Sequence, residues 1–281
     1  MASLTPELQN KYDKLLERLS SLRRVVVAFS GGLDSGFLLY AAVKALGKTN
    51  VLAVTSDSAS LATDDRDYAS EFVASIDLQD RHIVIRTAEL DDERYASNTT
   101  DRCFFCKQEL YGKLTGFASE KGYDHVLDGC NASDIGDFRP GRKAASEFSI
   151  QSPLLDAGLY KKEIREIARS EGLMIWDKPQ AACLSSRIPY GSRVTREKLH
   201  MVERAEKHLR ELGFRQMRVR HHDMIARIEV EEDDFERISA PEVRAAIIDE
   251  FRRIGFVWVT LDLKPFRTGS MNINIKDEKH G

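Results

Sequence analysis

The chain opens on a helical rhythm: Leu8, Tyr12, Leu15, Leu16, Leu19 and Leu22 fall on one face, and Thr5-Pro6 supplies a cap and a preorganised first turn. Such a helix packs through its apolar stripe. Directly after it Val25-Val26-Val27-Ala28-Phe29 is apolar without alternation, the pattern of a parallel strand buried on both faces. A glycine turn follows, then a helical stretch over residues 35–46 that Gly47 stops. The same unit recurs, with strands expected at residues 51–55, 82–86 and 125–127 and helices over 65–75 and 104–121. Alternation of this kind predicts an α/β fold, a parallel sheet with helices on both faces.

Residues 161–170 read as a further helix, after which a Pro-, Ser- and Gly-rich stretch at 178–192 marks the domain junction. Beyond it the pattern changes. A long helix over 195–212 precedes strands at 216–220 and 225–230, which flank His221-His222-Asp223 as a hairpin. Helices over 234–238 and 241–254 lead to a last strand at 256–263. The expected division is an α/β domain over residues 1–185 and a small α+β domain over 186–281 for substrate binding or oligomerisation.

Composition narrows the classes. With 281 residues, 42% of them hydrophobic, the chain can bury two cores. Its 42 basic and 45 acidic residues leave a net charge of -3, so no global field calls for nucleic acid or a membrane, and any anion site must be local. The N-terminus lacks a basic-then-apolar signal pattern and no apolar run is long enough to span a bilayer, so the expected location is cytoplasmic. Four cysteines do not make a disulfide scaffold in a chain this long; in a reducing compartment, clustered thiols point to metal or sulfur chemistry.

The local anion site is the loop after the first strand. In an open parallel sheet, ligands sit beyond the carboxyl ends of the strands, where this loop meets a helix N-terminus. Ser30-Gly31-Gly32-Leu33-Asp34-Ser35 occupies that place. Gly31 and Gly32 allow positive φ and close backbone approach, and the Ser30 and Ser35 hydroxyls add donors. Asp34 would repel phosphates unless it holds Mg2+. No lysine follows Gly32 as a mononucleotide P-loop requires, and the dinucleotide G-x-G-x-x-G spacing is absent. Residues 30–35 match the SGGxDS loop of the PP-loop ATP pyrophosphatases, a superfamily of adenylating synthetases and thiolation enzymes. That resemblance implies ATP, Mg2+ and pyrophosphate release. It also places Ser56 at the ribose and adenine, Gly129 in a second nucleotide turn, and Asp134 as a further metal carboxylate; Asp128 and Asp134 read equally as helix caps. A helix terminus supplies only about 0.3–1 kcal/mol to an anion, so a triphosphate needs more, and the basic run Arg139-Pro140-Gly141-Arg142-Lys143 is a candidate source.

PP-loop enzymes differ in the second nucleophile, ammonia or sulfur. The chain has no recognisable glutaminase domain and Met1-Ala2-Ser3 offers no catalytic cysteine, whereas Asp101-Arg102-Cys103-Phe104-Phe105-Cys106-Lys107 and Ala182-Cys183-Leu184-Ser185-Ser186-Arg187 favour sulfur. Together with the segments DxRPGRxAA, SPLLDAGLYKxEIR and CLxSRIPYG, these make nearly the whole chain similar to the LarE sulfur transferases of nickel-pincer nucleotide (lactate racemase) cofactor biosynthesis. The resemblance implies a homo-oligomeric sulfurtransferase that adenylates the carboxylates of pyridinium-3,5-biscarboxylic acid mononucleotide and converts them to thiocarboxylates. It offers two sulfur sources: a sacrificial cysteine matching Cys183, or a 4Fe-4S cluster on three cysteines matching Cys103, Cys106 and Cys183. Three thiolates leave one iron open for sulfide, and the C-x-x-C pair has no purpose in the sacrificial route, so the cluster is the favoured expectation. Cys130 stands where that family commonly has threonine and is expected to be a small buried residue. What donates the sulfide is not legible.

Arg218 and Arg220 alternate on one expected strand and therefore share a face, a pairing suited to the substrate phosphate; Arg187 and Arg267 are further candidates. All four could instead be surface arginines. The competing readings are a tRNA thiolase, which would want a basic RNA footprint, and a nucleotide-binding regulator that senses ATP without turnover.

Overall fold

In a computed structural model, which describes residues 4–135, 140–180 and 182–267, the chain divides into two units. One comprises residues 1–89 and 100–181, the other residues 90–99 and 182–281. The expected junction at 185/186 thus falls at 181/182, and a short internal segment joins the second unit.

The first unit begins with α1 (Pro6–Ser20), capped by the Thr5 hydroxyl, which accepts from Leu8 N at 3.3 Å. Strand β1 (Val25–Ala28), α2 (Leu33–Leu46), β2 (Val51–Asp57), α3 (Thr63–Ser75) and β3 (His82–Arg86) follow. A single turn, α4 (Glu93–Ala96), belongs to the second unit. The chain then returns with α5 (Arg102–Glu120), β4 (His125–Leu127), α6 (Gly141–Glu147), α7 (Pro153–Asp156) and α8 (Lys161–Ser170). The four strands are all parallel in the order β3-β2-β1-β4. Successive side chains of a strand face opposite ways, and both faces here are apolar. Val25, Val27, Val51 and Ala53 join α1, α2 and α8 in one core, while Val26, Leu52 and Val54 join α5 and α6 in another. That is why β1 and β2 read as unbroken apolar runs. Beside β4, Gln151 forms an isolated parallel bridge to Leu127, a pairing that the sequence did not announce.

In the second unit, α9 (Arg196–Glu211) is capped by Thr195. It is followed by β5 (Met217–His222), β6 (Ile225–Val230), α10 (Phe235–Ser239), α11 (Pro241–Ile254) and β7 (Trp258–Leu261). The expected hairpin is present as the antiparallel pair β5–β6, and β7 adds parallel to β6. Asp223 turns the hairpin at φ 53, a conformation Asp tolerates. The core gathers Leu209, Phe214, Val219, Ile228, Phe251 and Phe256. Among the described residues no helix is long and apolar enough to cross a membrane.

Candidate active site

The order of strand addition in the first unit reverses between β1 and β4: successive strands run outward from β1 to β3, and the chain then returns to the other side of β1. In open parallel sheets, the carboxyl ends of two such neighbours are where ligands bind. Residues 30–35 leave β1 at that point, and α2 starts at Leu33 with no side chain capping it, so its first amides face outward with the positive end of the helix dipole. Gly31 adopts φ +72, and a Cβ there would lie 2.9 Å from the Asp65 carbonyl oxygen, so only glycine fits between loop and α3. The two serines have turned to each other: Ser30 Oγ and Ser35 Oγ are 3.0 Å apart, and Ser30 N donates to Ser35 Oγ at 3.2 Å. They shape the loop from within.

The turn after β4 lies directly against this helix start. A Cβ on Gly129 would approach Ser35 N to 2.7 Å and Ser35 Cα to 2.9 Å, so the two loops touch backbone to backbone. Asp128 holds that turn in place, accepting from Tyr111 Oη at 2.7 Å, Ser152 Oγ at 2.7 Å and Cys130 N at 3.2 Å. Asp134 accepts from Asn131 N at 3.1 Å within a reciprocal capping box. Both carboxylates thus carry cap-like bonds. Cys130 is half-buried, and burial, with Asp128 and Asp134 nearby, pushes its thiol up to about 11. Ser56, at the end of β2, is 2.7 Å from Thr87 Oγ1, which donates at 3.1 Å to the buried Glu89; Ser60 donates to the same carboxylate at 3.0 Å.

Sequence reasoning assigned the cations beside the nucleotide loop to the run after Asp134. Arg139 lies outside the described residues, and Arg142 and Lys143 are exposed on α6, where Lys143 Nζ sits 5.2 Å from the Phe104 ring centroid. Arg142 is nonetheless near enough to Cys130 in the second turn to act on its thiol, and the first loop is met by Lys161, 3.4 Å from Asp34 Oδ2, and by Lys178, whose ammonium reaches the Gly31 carbonyl. Lys161 starts the helix within the SPLLDAGLYKxEIR segment, so a positional signal existed. Lys178 sits in a loop and gave none.

Cys103 and Cys106 occupy the first turn of α5, spaced to share a face, the first exposed and the second half-buried. Beside them lies a hollow of about 190 Å3 lined by Asp101, Phe104, Phe105, Pro140 and Lys143. Lys107 is half-buried one residue further on, raised above the ordinary lysine range by Tyr111 first and then by Asp128 and Cys106. Cys183 belongs to the second unit, exposed, as the residue before a short 3-10 turn (Leu184–Arg187). Among the described residues no three His, Cys, Asp or Glu side chains gather into a metal-binding group.

Three of the four candidate arginines of the second unit, Arg187, Arg218 and Arg220, are buried and so are not the surface residues of the alternative reading. Arg187 makes a two-pronged pair with the equally buried Glu206, with both N–O distances 2.8 Å, and its remaining nitrogen gathers the carbonyls of Ala182 and Cys183 at 2.6 and 3.0 Å. Arg220 pairs likewise with Glu229 at 3.0 and 2.7 Å and donates to the Ser186 carbonyl at 3.1 Å. These two side chains therefore fasten the Cys183 turn to the sheet. Burial opposes a charge on Glu206, but Arg187 and Arg218 hold it below the usual carboxylate range. Arg218 lies over the Phe266 ring at 4.9 Å and donates to the Met217 carbonyl at 2.6 Å; burial, with Arg187 next, lowers it to about 10. Arg267 is exposed. Asn98, which no motif flagged, is fully buried, and its amide donates at 3.3, 2.8 and 2.8 Å to the carbonyls of Ile188, Pro189 and Ser192, shaping the rest of the turn-rich stretch.

Residues 7–102 match the NAD synthase family. The chain is 37% identical over 265 residues to a pyridinium-3,5-bisthiocarboxylic acid mononucleotide synthase of Lactiplantibacillus plantarum, covering 94% of this chain and 95% of that protein. It is 38% identical to an uncharacterized protein of Synechocystis sp., over 94% of this chain and 98% of the relative. An uncharacterized protein of Methanocaldococcus jannaschii is 30% identical over 88% of this chain and 92% of its own.

Proposed function

The chain belongs to the family of the pyridinium-3,5-bisthiocarboxylic acid mononucleotide synthase, and from that premise we propose that it is an ATP-dependent sulfurtransferase of nickel-pincer nucleotide cofactor assembly, acting in the cytoplasm on pyridinium-3,5-biscarboxylic acid mononucleotide. A substrate carboxylate oxygen attacks the α-phosphorus of ATP, the bond to the departing oxygen breaks, and pyrophosphate leaves. A sulfur nucleophile then adds to the acyl carbon and expels AMP, leaving a thiocarboxylate. The observation that carries this reading is the 37% identity over 94% of the chain to a synthase whose name states that product.

The residues divide the work. Gly31, Gly32 and the uncapped start of α2 offer amides to phosphate, Ser30 and Ser35 brace the loop, Gly129 lets the second turn approach, and Ser56 faces the ribose end. Asp34 and Asp134 are the carboxylates that would hold Mg2+, which when bound offsets the charge of the pyrophosphate leaving group. Cys103 and Cys106 suit thiolate chemistry, being accessible and at a helix N-terminus; with Cys183 they would hold a 4Fe-4S cluster, which when bound supplies the sulfur. Arg218, buried among charges on the strand that carries Arg220, is the arginine assigned to the substrate phosphate.

Two measurements test this. Asp34→Ala should abolish pyrophosphate release that depends on the pyridinium nucleotide while the far-ultraviolet spectrum stays unchanged; release retained at saturating Mg2+ would sink the metal assignment, and release stimulated by tRNA alone would favour the thiolase reading. For the sulfur source, protein reconstituted anaerobically with iron and sulfide should turn over repeatedly without losing mass, and Cys106→Ser should not. Dehydroalanine at Cys183 in an active Cys106→Ser variant would transfer the role to a sacrificial Cys183.

A further inference from the structure

Lys178 lies in the first unit, directly after a short 3-10 turn (Met174–Asp177). Its side chain is only 9% exposed, a costly place for an ammonium, and three contacts surround the charge. Nζ donates to the Gly31 carbonyl at 2.9 Å, pairs with Asp65 Oδ1 at 2.9 Å, and stands 4.1 Å from the Tyr68 ring centroid. Two of its three protons are thus engaged by oxygen acceptors and the charge is further met by an aromatic face. The stretch bearing Lys178 is itself anchored: Arg165 donates to the carbonyls of Trp176 and Lys178, and Ile175 packs where Gly36 leaves no room for a side chain.

Gly31 makes such an anchor necessary. A glycine at φ +72 has no steric reason to stay there, because both halves of its map are open. The peptide joining Gly31 to Gly32 is planar and trans, which sets its carbonyl and its N–H on opposite sides. Holding the Gly31 carbonyl toward Lys178 therefore turns the Gly32 N–H to the side away from Lys178. We propose that Lys178 is a positioning residue of the nucleotide loop, fixing the Gly31–Gly32 peptide in the orientation that presents the Gly32 amide to a phosphate of ATP. The inference rests on the ATP reading of this loop and adds a residue to it that acts through the Gly31 carbonyl.

The rival explanation is that Lys178 and Asp65 form an ion pair that merely ties the loop to α3. Two variants separate them, because both break the ion pair and only one releases the Gly31 carbonyl. Binding of Mg-ATP to the full chain is followed by calorimetry, with melting temperature as the fold control. Lys178→Met should weaken ATP about tenfold, the worth of one charge-assisted hydrogen bond, while Asp65→Asn, which leaves the lysine on Gly31, should stay within about threefold of wild type. If Lys178→Met melts below the assay temperature, Lys178→Gln replaces it and should bind more weakly than Asp65→Asn. ATP affinity in Lys178→Met within twofold of wild type, or equal losses in the lysine and aspartate variants, overturns the proposal. A wild-type chain that binds no ATP overturns instead the reading on which it rests.

Discussion

At the β1–β4 end of the first unit, the polar groups of the proposed nucleotide site are main-chain amides of an uncapped helix, beside Gly31 and Gly129, where a Cβ would have no room. In the second unit the comparable density of polar groups is made of side chains, with Arg187 and Arg220 buried against Glu206 and Glu229 while holding the carbonyls of the Cys183 turn. A backbone site tolerates changes of side chain except where there is no room for one. A buried ionic site tolerates changes of shape poorly, and loss of one partner least of all, because the survivor is left charged in a place that cannot hydrate it. The contrast makes the two units sensitive to different substitutions, and each carries one of the two tryptophans, Trp176 and Trp258, as a local reporter.

The largest expected effect is Arg220→Ala, which removes the two-pronged partner of Glu229, leaves it only the longer pair with Arg227 at 3.3 Å, and should cost about 3 kcal/mol in the second unit. Loss of Trp258 signal should move to lower temperature or denaturant while Trp176 holds. An Arg220→Ala protein of unchanged stability that binds the pyridinium nucleotide poorly would make this arginine a substrate ligand rather than a brace. Next comes Gly129→Ala, whose new methyl would meet backbone atoms of Ser35 and displace the start of α2. Pyrophosphate release should fall about 100-fold, the usual penalty for a misplaced reacting group, with little change in melting. Wild-type rates in Gly129→Ala would show that the two loops need not touch.

A smaller effect separates the units by pH. Burial lowers both His221 and His222 below the ordinary histidine value of 6.5, so the folded second unit prefers them neutral. Their contribution is complete above that value and is lost as pH falls through it toward the depressed folded values, because the unfolded chain takes up the protons first. The Trp258 transition should therefore drop by several degrees between pH 7 and pH 5, and His222→Gln should flatten that dependence; an unchanged slope in the variant would remove His222 from the account. The smallest effects belong to exposed groups remote from either cluster. Lys48 and Asp77 pair at 3.1 Å on the surface, and Lys48→Ala should shift stability by less than about 0.5 kcal/mol. Chemical denaturation reads this directly, and a loss above 1 kcal/mol would mean that the surface of the first unit matters more than its packing suggests.

Much of the first unit was legible because its strands announce themselves. Val25 to Ala28 and the start of β2 are apolar on both faces, which only a sheet covered on both sides allows, and the glycine pair after β1 follows from the approach it must permit. Element ends were less exact: Asp57 and His222 extend β2 and β5 beyond the expected limits, and β7 is shorter than expected, running from Trp258 to Leu261. The internal segment around Asn98 escaped notice because one buried asparagine has no periodicity to reveal it, although it organises carbonyls some ninety residues away. Arg218 and Arg220 did share a face, as alternation requires, but alternation says nothing about what that face meets.

What the sequence determined by itself, then, was the set of local patterns: strand and helix periodicity, the glycine loop at a strand end, the paired cysteines at a helix start, and family-specific segments spread along the chain. These are written in neighbouring residues, where spacing alone fixes direction. Tertiary structure decided which charges neutralise which. It set Lys178 on the Gly31 carbonyl, Glu206 on Arg187 and Glu229 on Arg220, pairings that depend on burial and on distances between segments far apart in the chain. A lysine or arginine in a sequence looks the same whether it will bind a ligand, brace a loop or face water, and only the surroundings that remove water from it choose among the three.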